Sequence, residues 1–318
     1  MSATSGVSMK PEIAGWLLAG DVSVQYQTRR DLLGEDRPDL QARIATEGWG
    51  ARILAARNPD TSWGRRFYNP KWTNSHYTLL DLRNLCLPRD NQAARDSVAH
   101  ILATEKRADG GIGPGSLAHG SDVCVNGMFL NYAAWFGAPE PELHAIIDFV
   151  LGEWMPDGGF NCDSTRGHPH HSSLHTTISV LEGFQQLLRS GYTYRADEIR
   201  EAMASSREFI LLHRFYRSDH TGEIIQKSFL SFPVSPRWKY NILRALDYFA
   251  QAGIPYDPRM QDALEFIRGK QKPDGLWNAN AAHSGAVHFE MEKAGHPSRV
   301  ITLSALRVLQ TYGANIGT

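Results

Sequence analysis

The segment FIRGKQKPDGLW, residues 266–277, is the clearest copy of a phrase that recurs about every 50 residues along this chain. Each copy ends a helical pattern with a turn built on Asp, usually with Gly, and then places Trp, Phe or Ile directly after it. Further copies are ILAARNPDTSWG (53–64), ILATEKRADGGI (101–112), FVLGEWMPDGGF (149–160) and a degenerate one, FILLHRFYRSDHTGEI (209–224). The repeat predicts similar helical units, each plugged by one large apolar side chain after the turn.

A second and more apolar helical pattern follows each turn. These patterns are TNSHYTLLDLRNL, SDVCVNGMFLNYAAWF, LHTTISVLEGFQQLL, SPRWKYNILRALDYFAQAG and PSRVITLSALRVLQTYG, with VSVQYQTRRDLLG as an earlier sixth. Their partners, residues 90–106, 140–154 and 195–214, keep one polar face, as helices against solvent do. The sequence therefore predicts six or so helical hairpins, with the apolar helices inside.

The hairpins form an array that is either open or closed into a ring, and the ends of the array distinguish the two. An open solenoid needs polar caps at both ends, whereas a ring has no ends to cap. We predict an all-α fold, a closed α/α toroid, with residues 1–318 as a single domain and residues 1–10 as a flexible tail.

Composition narrows the possible partners. The 318 residues carry a net charge of -1 without a Lys/Arg run, so the chain lacks the basic patch expected for nucleic acid or an anionic membrane. No apolar stretch approaches the roughly 18 to 20 residues of a membrane span. Three cysteines and a start without a leader pattern predict a reduced, cytoplasmic protein.

A possible metal site comes from two neighbouring inner helices. Asp122 and Cys124 open the run 121–136, and His175 opens the equivalent run 174–188 one repeat later. A carboxylate, a thiolate and an imidazole that converge suit Zn²⁺ and leave one position open for chemistry. Cys162, in GGFNCDST, is a fourth ligand, a hydrogen-bonding neighbour or a buried core residue; a closed four-ligand site would be structural.

Further candidates stand where the other inner helices begin. If these helices run parallel, their N-termini share one rim, and helix N-termini favour anions. Arg237 and Arg299 are predicted to hold a phosphate or carboxylate headgroup beside Trp238, or else to pair with Glu290 or Glu292.

Catalytic groups are predicted at the same rim. His76, Tyr77 and Tyr240 join Asp122 as the candidates. Aromatic side chains would line an apolar cavity for a hydrophobic substrate or would simply pack. The aromatic candidates are Tyr26, Tyr77, Phe129, Tyr132, Trp238 and Tyr240.

Two stretches resemble known families. RGKQKPDGLW (268–277) resembles the Gln-Trp repeat motif of squalene and oxidosqualene cyclases. SDVCVNGMFLNYAAWFG with LHTTISVLEGF resembles the catalytic β subunit of protein prenyltransferases, in which an Asp-x-Cys and a later His bind zinc. Both families are α/α toroids. The resemblance implies zinc ligands at Asp122, Cys124 and His175 and an isoprenoid-like substrate.

Three functions are open at this point. The first is a zinc-dependent enzyme of the terpene cyclase and prenyltransferase-like superfamily, in which Zn²⁺ activates a thiol, alcohol or water near an isoprenoid-like substrate. The second is a metal-free cyclase with Asp122 or Asp163 as a buried, protonated Brønsted acid, although the Asp-x-Asp-Asp acid of such cyclases is absent. The third is a non-catalytic binding module with structural zinc.

Overall fold

The computed structural model describes residues 9–113, 120–165, 167 and 169–313. Within these ranges the chain forms thirteen α-helices. They are α1 (Pro11–Leu18), α2 (Val22–Leu32), α3 (Pro38–Arg43), α4 (Gly48–Ala55), α5 (Ser75–Asn84), α6 (Gln92–Thr104), α7 (Val123–Trp135), α8 (Glu140–Gly152), α9 (Leu174–Arg189), α10 (Ala196–Leu212), α11 (Ile242–Gln251), α12 (Gln261–Gly269) and α13 (Arg299–Tyr312). Most of the predicted tail lies outside the described residues.

Six of these helices, α2, α5, α7, α9, α11 and α13, form an inner ring and run parallel. At the C-terminal ends of α7 and α9, the Ser190 hydroxyl donates to the Ala134 carbonyl at 3.0 Å. At the N-terminal end of α9, the backbone N–H of Tyr240, just before α11, donates to Nδ1 of His175 at 2.8 Å. The ring closes where α13 packs against α2. The predicted closed α/α toroid is confirmed.

Each inner helix has an outer partner that precedes it in the chain: α1, α4, α6, α8, α10 and α12. The predicted runs 121–136 and 174–188 correspond to α7 and α9, with ends shifted by two residues or fewer. In the described residues no helix combines the length and the apolar character needed to cross a bilayer.

The turns of the repeat join the two rings as predicted. Trp63, Ile112, Phe160 and Trp277 follow the four regular turns and are at most 1% exposed. Each of their backbone N–H groups donates to a polar side chain in the first turns of the next inner helix: Ser75, Asn126, Thr177 or Thr302. The degenerate fifth copy lacks the plug, because Ile224 is 40% exposed.

Two glycines bring α7 and α9 unusually close. A Cβ on Gly127 would lie 2.8 Å from backbone atoms of Ser179 and Val180, and a Cβ on Gly183 would lie 2.3 Å from the Gly127 carbonyl oxygen. Real Cβ atoms do not approach other atoms so closely, so only glycine permits this contact. Backbone packing therefore fixes the distance between α7 and α9, the two helices at whose N-terminal ends the predicted metal ligands lie.

Candidate functional site

The inner ring encloses a cavity of about 980 Å³ whose wall is rich in charged and polar side chains. Eight arginines and five acidic side chains contribute to its lining, an excess of three positive charges. The arginines are Arg30, Arg83, Arg89, Arg95, Arg189, Arg237, Arg244 and Arg307, and the acids are Asp31, Asp81, Asp90, Glu182 and Asp247. Such a wall attracts anions, because a low-dielectric cavity concentrates the field of its charges. It differs from the apolar, aromatic cavity predicted from the sequence.

The deepest ion pair links α5 to the segment before α11. Arg237 donates to Oδ2 of Asp81, and both side chains are about nine-tenths buried. The Ser235 hydroxyl donates to the other oxygen of Asp81 at 3.3 Å. Arg237, a predicted substrate-binding residue, thus faces the cavity but is paired with Asp81 instead of Glu290 or Glu292.

A second ion pair crosses from α9 to α11. Arg244 donates Nε to one oxygen of Glu182 at 2.8 Å and Nη2 to the other at 2.7 Å. The same guanidinium donates to the backbone carbonyls of Arg237 and Lys239. This two-pronged contact holds the Glu182 carboxylate in one orientation.

A third group of charged side chains joins three inner helices. Arg307 on α13 contacts Asp31 on α2, and its Nε lies 2.7 Å from Oδ1 of Asp247 on α11. Burial raises the pKa of Asp247, and the nearby charges of Asp31 and Glu182 raise it further, against the opposing effect of Arg307. Asp247 therefore holds a proton at a higher pH than an ordinary aspartate. A carboxyl group with a raised pKa is suited to the role of a general acid.

The predicted metal ligands lie at the N-terminal rim, outside the lining of this cavity. The Cys124 backbone N–H donates to the Cys162 sulfur at 3.0 Å, and the Thr176 hydroxyl lies 3.4 Å from the same sulfur. The Cys124 side chain, the Thr176 hydroxyl and this N–H lower the pKa of the Cys162 thiol, while the pKa of Cys124 is raised. Asp122 precedes α7 at its N-cap position. The two cysteines, Asp122 and Thr176 thus meet at one place.

His175 does not present a free nitrogen to that place. Its Nδ1 accepts the Tyr240 N–H, so the neutral ring carries its proton on Nε2, and burial lowers its pKa to about 4. In a metal-bound histidine, one ring nitrogen binds the metal and the other donates its N–H to a neighbour. In His175, the nitrogen without a hydrogen already accepts the Tyr240 N–H. Among the residues that the structure describes, no three His, Cys, Asp or Glu side chains are arranged to hold a metal ion. The donor set does not fit zinc, and zinc binding stays a prediction.

The other predicted catalytic residues are packed in the wall. His76 is fully buried with Nδ1 3.2 Å from the Tyr132 hydroxyl, and burial lowers its pKa to about 3. The Tyr77 hydroxyl lies 2.8 Å from that of Tyr68, and burial raises the pKa of both phenols. The Tyr240 hydroxyl donates to the carbonyl of Phe215. These phenols are buried and protonated at neutral pH.

Three further predicted residues lie apart from the cavity. Trp238 contacts the His175 ring edge-on at 5.1 Å. Arg299 donates to the Trp16 carbonyl and covers the Trp16 ring, so it fastens α1 to α13. Asp163 is exposed, whereas the Brønsted acid role requires a buried carboxyl.

Among the aromatic candidates, Tyr26 lines the cavity, while Phe129 and Tyr132 are fully buried in the wall and pack against each other.

The charged wall that sequence reasoning missed has a signal in the inner helices. Polar residues recur at spacings of three or four on α9, at Glu182, Gln185 and Arg189, and on α11, at Arg244 and Asp247. An inner helix that carries such a polar stripe has one face suited to a water-filled cavity.

Two solved structures that align with a TM-score of 0.51 support the fold. A glycosyl hydrolase family 88 protein from Bacteroides vulgatus aligns over 91% of this chain and 89% of its own, with 11% identity and a TM-score of 0.51. A polysaccharide lyase aligns over 98% and 91%, with 12% identity and a TM-score of 0.51. A type II terpene cyclase from Scytonema aligns over 91% and 99%, with 14% identity and a TM-score of 0.36. No protein-family model and no curated protein matches the chain.

Proposed function

We propose that this protein is an enzyme that binds an acidic saccharide in its central cavity and cleaves a glycosidic bond by acid–base catalysis. The observation that carries this proposal is the cavity wall, in which arginines outnumber carboxylates and one carboxylate, Asp247, has a raised pKa. Sugars need many hydrogen-bonding partners, and an acidic sugar also needs positive charge. The wall offers both.

Asp247 and Glu182 divide the two catalytic roles in this proposal. Asp247, with its raised pKa, donates a proton to the oxygen of the leaving sugar. Glu182, which two hydrogen bonds from Arg244 hold in place, accepts a proton. If that proton comes from water the reaction is hydrolysis, and if it comes from a carbon next to a uronate carboxylate the reaction is elimination. Two solved structures of this fold are named as a glycosyl hydrolase and a polysaccharide lyase, which agrees with the class proposed.

An isoprenoid-like substrate, expected from the sequence, is the second candidate. A prenyl diphosphate would bring its own negative charge to the arginines of the cavity. Its hydrocarbon chain, however, would cover Glu182, Asp247 and Arg307, and these ionisable groups would lose water without gaining a partner. The charged wall therefore favours the saccharide.

The test is turnover with chemically defined oligosaccharides that carry uronate or sulfate groups, with prenyl diphosphates as a separate arm. New reducing ends measure cleavage, and the ultraviolet absorbance of an unsaturated sugar separates elimination from hydrolysis. Asp247→Asn should lower the rate by about 100-fold or more, the scale of a lost general acid. Asp197→Asn, at a fully exposed side chain on the outer helix α10, is the matched control and should keep the wild-type rate.

The pH dependence supplies a second readout. Because the acid must be protonated, the rate should fall as the pH rises through the raised pKa of Asp247. Turnover of prenyl diphosphates alone, or full activity of folded Asp247→Asn on saccharides, would overturn the proposal.

A further inference from the structure

We infer that one end of the central cavity, formed by Arg83, Arg89 and Arg189 around Trp135, is a binding site for a tetrahedral oxyanion, a sulfate or phosphate group of the ligand. The three arginines lie at or beyond the C-terminal ends of inner helices α5 and α9, and all four residues line the cavity. We refer to them as the arginine end of the cavity.

Pairing of the charges in the cavity divides its eight arginines into two groups of four. Four of the five acids already have an arginine within ion-pair distance: Asp31 with Arg30 and Arg307, Asp81 with Arg237, Glu182 with Arg244, and Asp247 with Arg307. In the described part of the chain, four of the eight arginines have no carboxylate within ion-pair distance: Arg83, Arg89, Arg95 and Arg189. Arg95 is exposed and donates its Nε to the Arg89 carbonyl at 3.1 Å, which leaves the other three around Trp135. The fifth acid, Asp90, is exposed beside Arg89. The positive charge of the arginine end is thus not balanced by the wall.

Burial makes this imbalance costly at Arg83. The Nε of Arg83 is buried and has no hydrogen-bond partner among the described residues, while its other nitrogens donate to the side-chain oxygens of Gln186 and Asn84 at 3.0 and 3.2 Å. Burial lowers the pKa of Arg83, and the nearby charges of Arg189 and Arg30 lower it further. Partial burial also lowers the pKa of the more exposed Arg189, and the charges of Arg30 and Arg89 act in the same direction. An unbalanced buried guanidinium is destabilising until an anion joins it.

Trp135 holds two of the arginines in place. The guanidinium carbon of Arg89 lies 4.4 Å from the centre of its ring and that of Arg83 lies 5.6 Å away. The indole N–H donates to the Leu87 carbonyl at 2.9 Å, so the ring is fixed. Arg189 is anchored from the opposite side, because it donates to the Gln251 carbonyl at the end of α11. The site is therefore assembled before any ligand arrives.

The chemistry of three guanidinium groups selects the ligand class. Guanidinium forms paired hydrogen bonds with sulfate and phosphate oxygens, and three such groups suit an anion with three terminal oxygens. Two sources share this chemistry: a sulfate ester on a saccharide and the diphosphate of a prenyl compound. The inference deepens the proposed function by naming a group of the substrate, and it rests on that function only for the rest of the ligand.

A structural role is the competing explanation. Arginines at helix C-termini also stabilise the helix dipole, without any ligand. In that case the arginine substitutions would change the unfolding temperature, and the protein would not bind oxyanions in a saturable way.

Calorimetric titration of the full chain with sodium sulfate, inorganic phosphate, pyrophosphate and glucuronate, at constant ionic strength in chloride, tests the inference. We expect saturable binding of sulfate or phosphate that is tighter than binding of glucuronate. Arg83→Gln and Arg189→Gln should each weaken it by about 10-fold or more, the scale of a charged hydrogen bond. Arg200→Gln, on the outer surface of α10, is the matched control and should bind as the wild type does.

Two more variants separate the possible outcomes. Arg89→Gln changes an exposed side chain, so it keeps the test valid if Arg83→Gln fails to fold. Asp247→Asn should leave oxyanion binding intact while it lowers the rate of turnover by about 100-fold or more, so failure of the proposed function and failure of this inference are distinguishable. Tighter binding of sulfate than of pyrophosphate supports a sulfated saccharide as the source, and the reverse order supports a diphosphate. Absence of saturable binding, equal binding by all arginine variants, or preference for glucuronate would overturn the inference.

Discussion

Single glycines set how closely the inner helices of this ring approach one another. Gly127→Ala would place a methyl group 2.8 Å from the backbone of Ser179 and Val180, so α7 and α9 must separate. We expect a loss of about 1 to 3 kcal/mol in the free energy of unfolding, as for other overpacked contacts. Gly152→Ala, at the end of α8 with nothing near the added carbon, should be neutral or slightly stabilising. Urea unfolding followed by circular dichroism measures both, and equal stability of the two variants would contradict this account.

The zinc prediction also depends on single residues. Asp122, Cys124 and His175 have the residue types and the repeat spacing of a zinc site, and these are visible in the sequence. The hydrogen bond from Tyr240 to Nδ1 of His175 is not visible there, because it depends on how the segment before α11 crosses the rim. We therefore expect elemental analysis to find far less than one equivalent of zinc, with the same content in Cys124→Ala. One equivalent in the wild type, lost in that variant, would restore the predicted site.

At the scale of elements, the hairpin turn is what the sequence predicted best. Its Asp and Gly stop the outer helix, and the next large side chain enters the core, so a local pattern determines a local structure. Polar partners such as Ser75 and Thr302 were missed, because their distance along the chain from the plug differs between repeats. They are recognisable only as a small polar residue near the start of each inner helix.

The polar partner of one plug gives a measurable prediction. Thr177→Val keeps the shape of the side chain but leaves the buried N–H of Phe160 without the hydroxyl that accepts it at 3.0 Å. The expected loss is about 1 to 3 kcal/mol, the cost of an unsatisfied buried donor. Thr104→Val, whose hydroxyl makes an exposed contact with the His100 carbonyl, is the control and should change stability little. Chemical unfolding measures the stability of both variants. A loss of unfolding free energy in Thr104→Val as large as that in Thr177→Val would refute the stabilising role of the Thr177 hydroxyl.

At the scale of the whole molecule, closure places the charged faces of five inner helices and Trp135 of the sixth, α7, around one space. The inner helices were predicted as apolar, and most of each helix is buried against its neighbours. The remaining stripe meets only the stripes of the other inner helices, so Arg244 and Arg307 are visible as site residues only after the ring is closed. The arrangement of the repeats was thus predictable from local patterns, whereas the site was not, because its residues come from distant repeats.

Substitution of Arg307 tests two properties together: the closure of the ring and the balance of charge in the cavity. It joins the first inner helix, through Asp31, to the last two, and all three side chains of the group are largely buried. Arg307→Gln should therefore lower the free energy of unfolding by about 3 kcal/mol or more, because two carboxylates lose their shared cation. The pKa of Asp247, already raised in the folded protein, should then rise further.

A group whose pKa is higher in the folded than in the unfolded state contributes stability at low pH and loses it as the pH rises through the folded value. The deficit of Arg307→Gln should accordingly be larger at pH 8 than at pH 5 in urea unfolding, and adding Asp247→Asn should remove much of that difference. A deficit that is the same at both pH values would show that Arg307 holds the ring together by packing and not by charge.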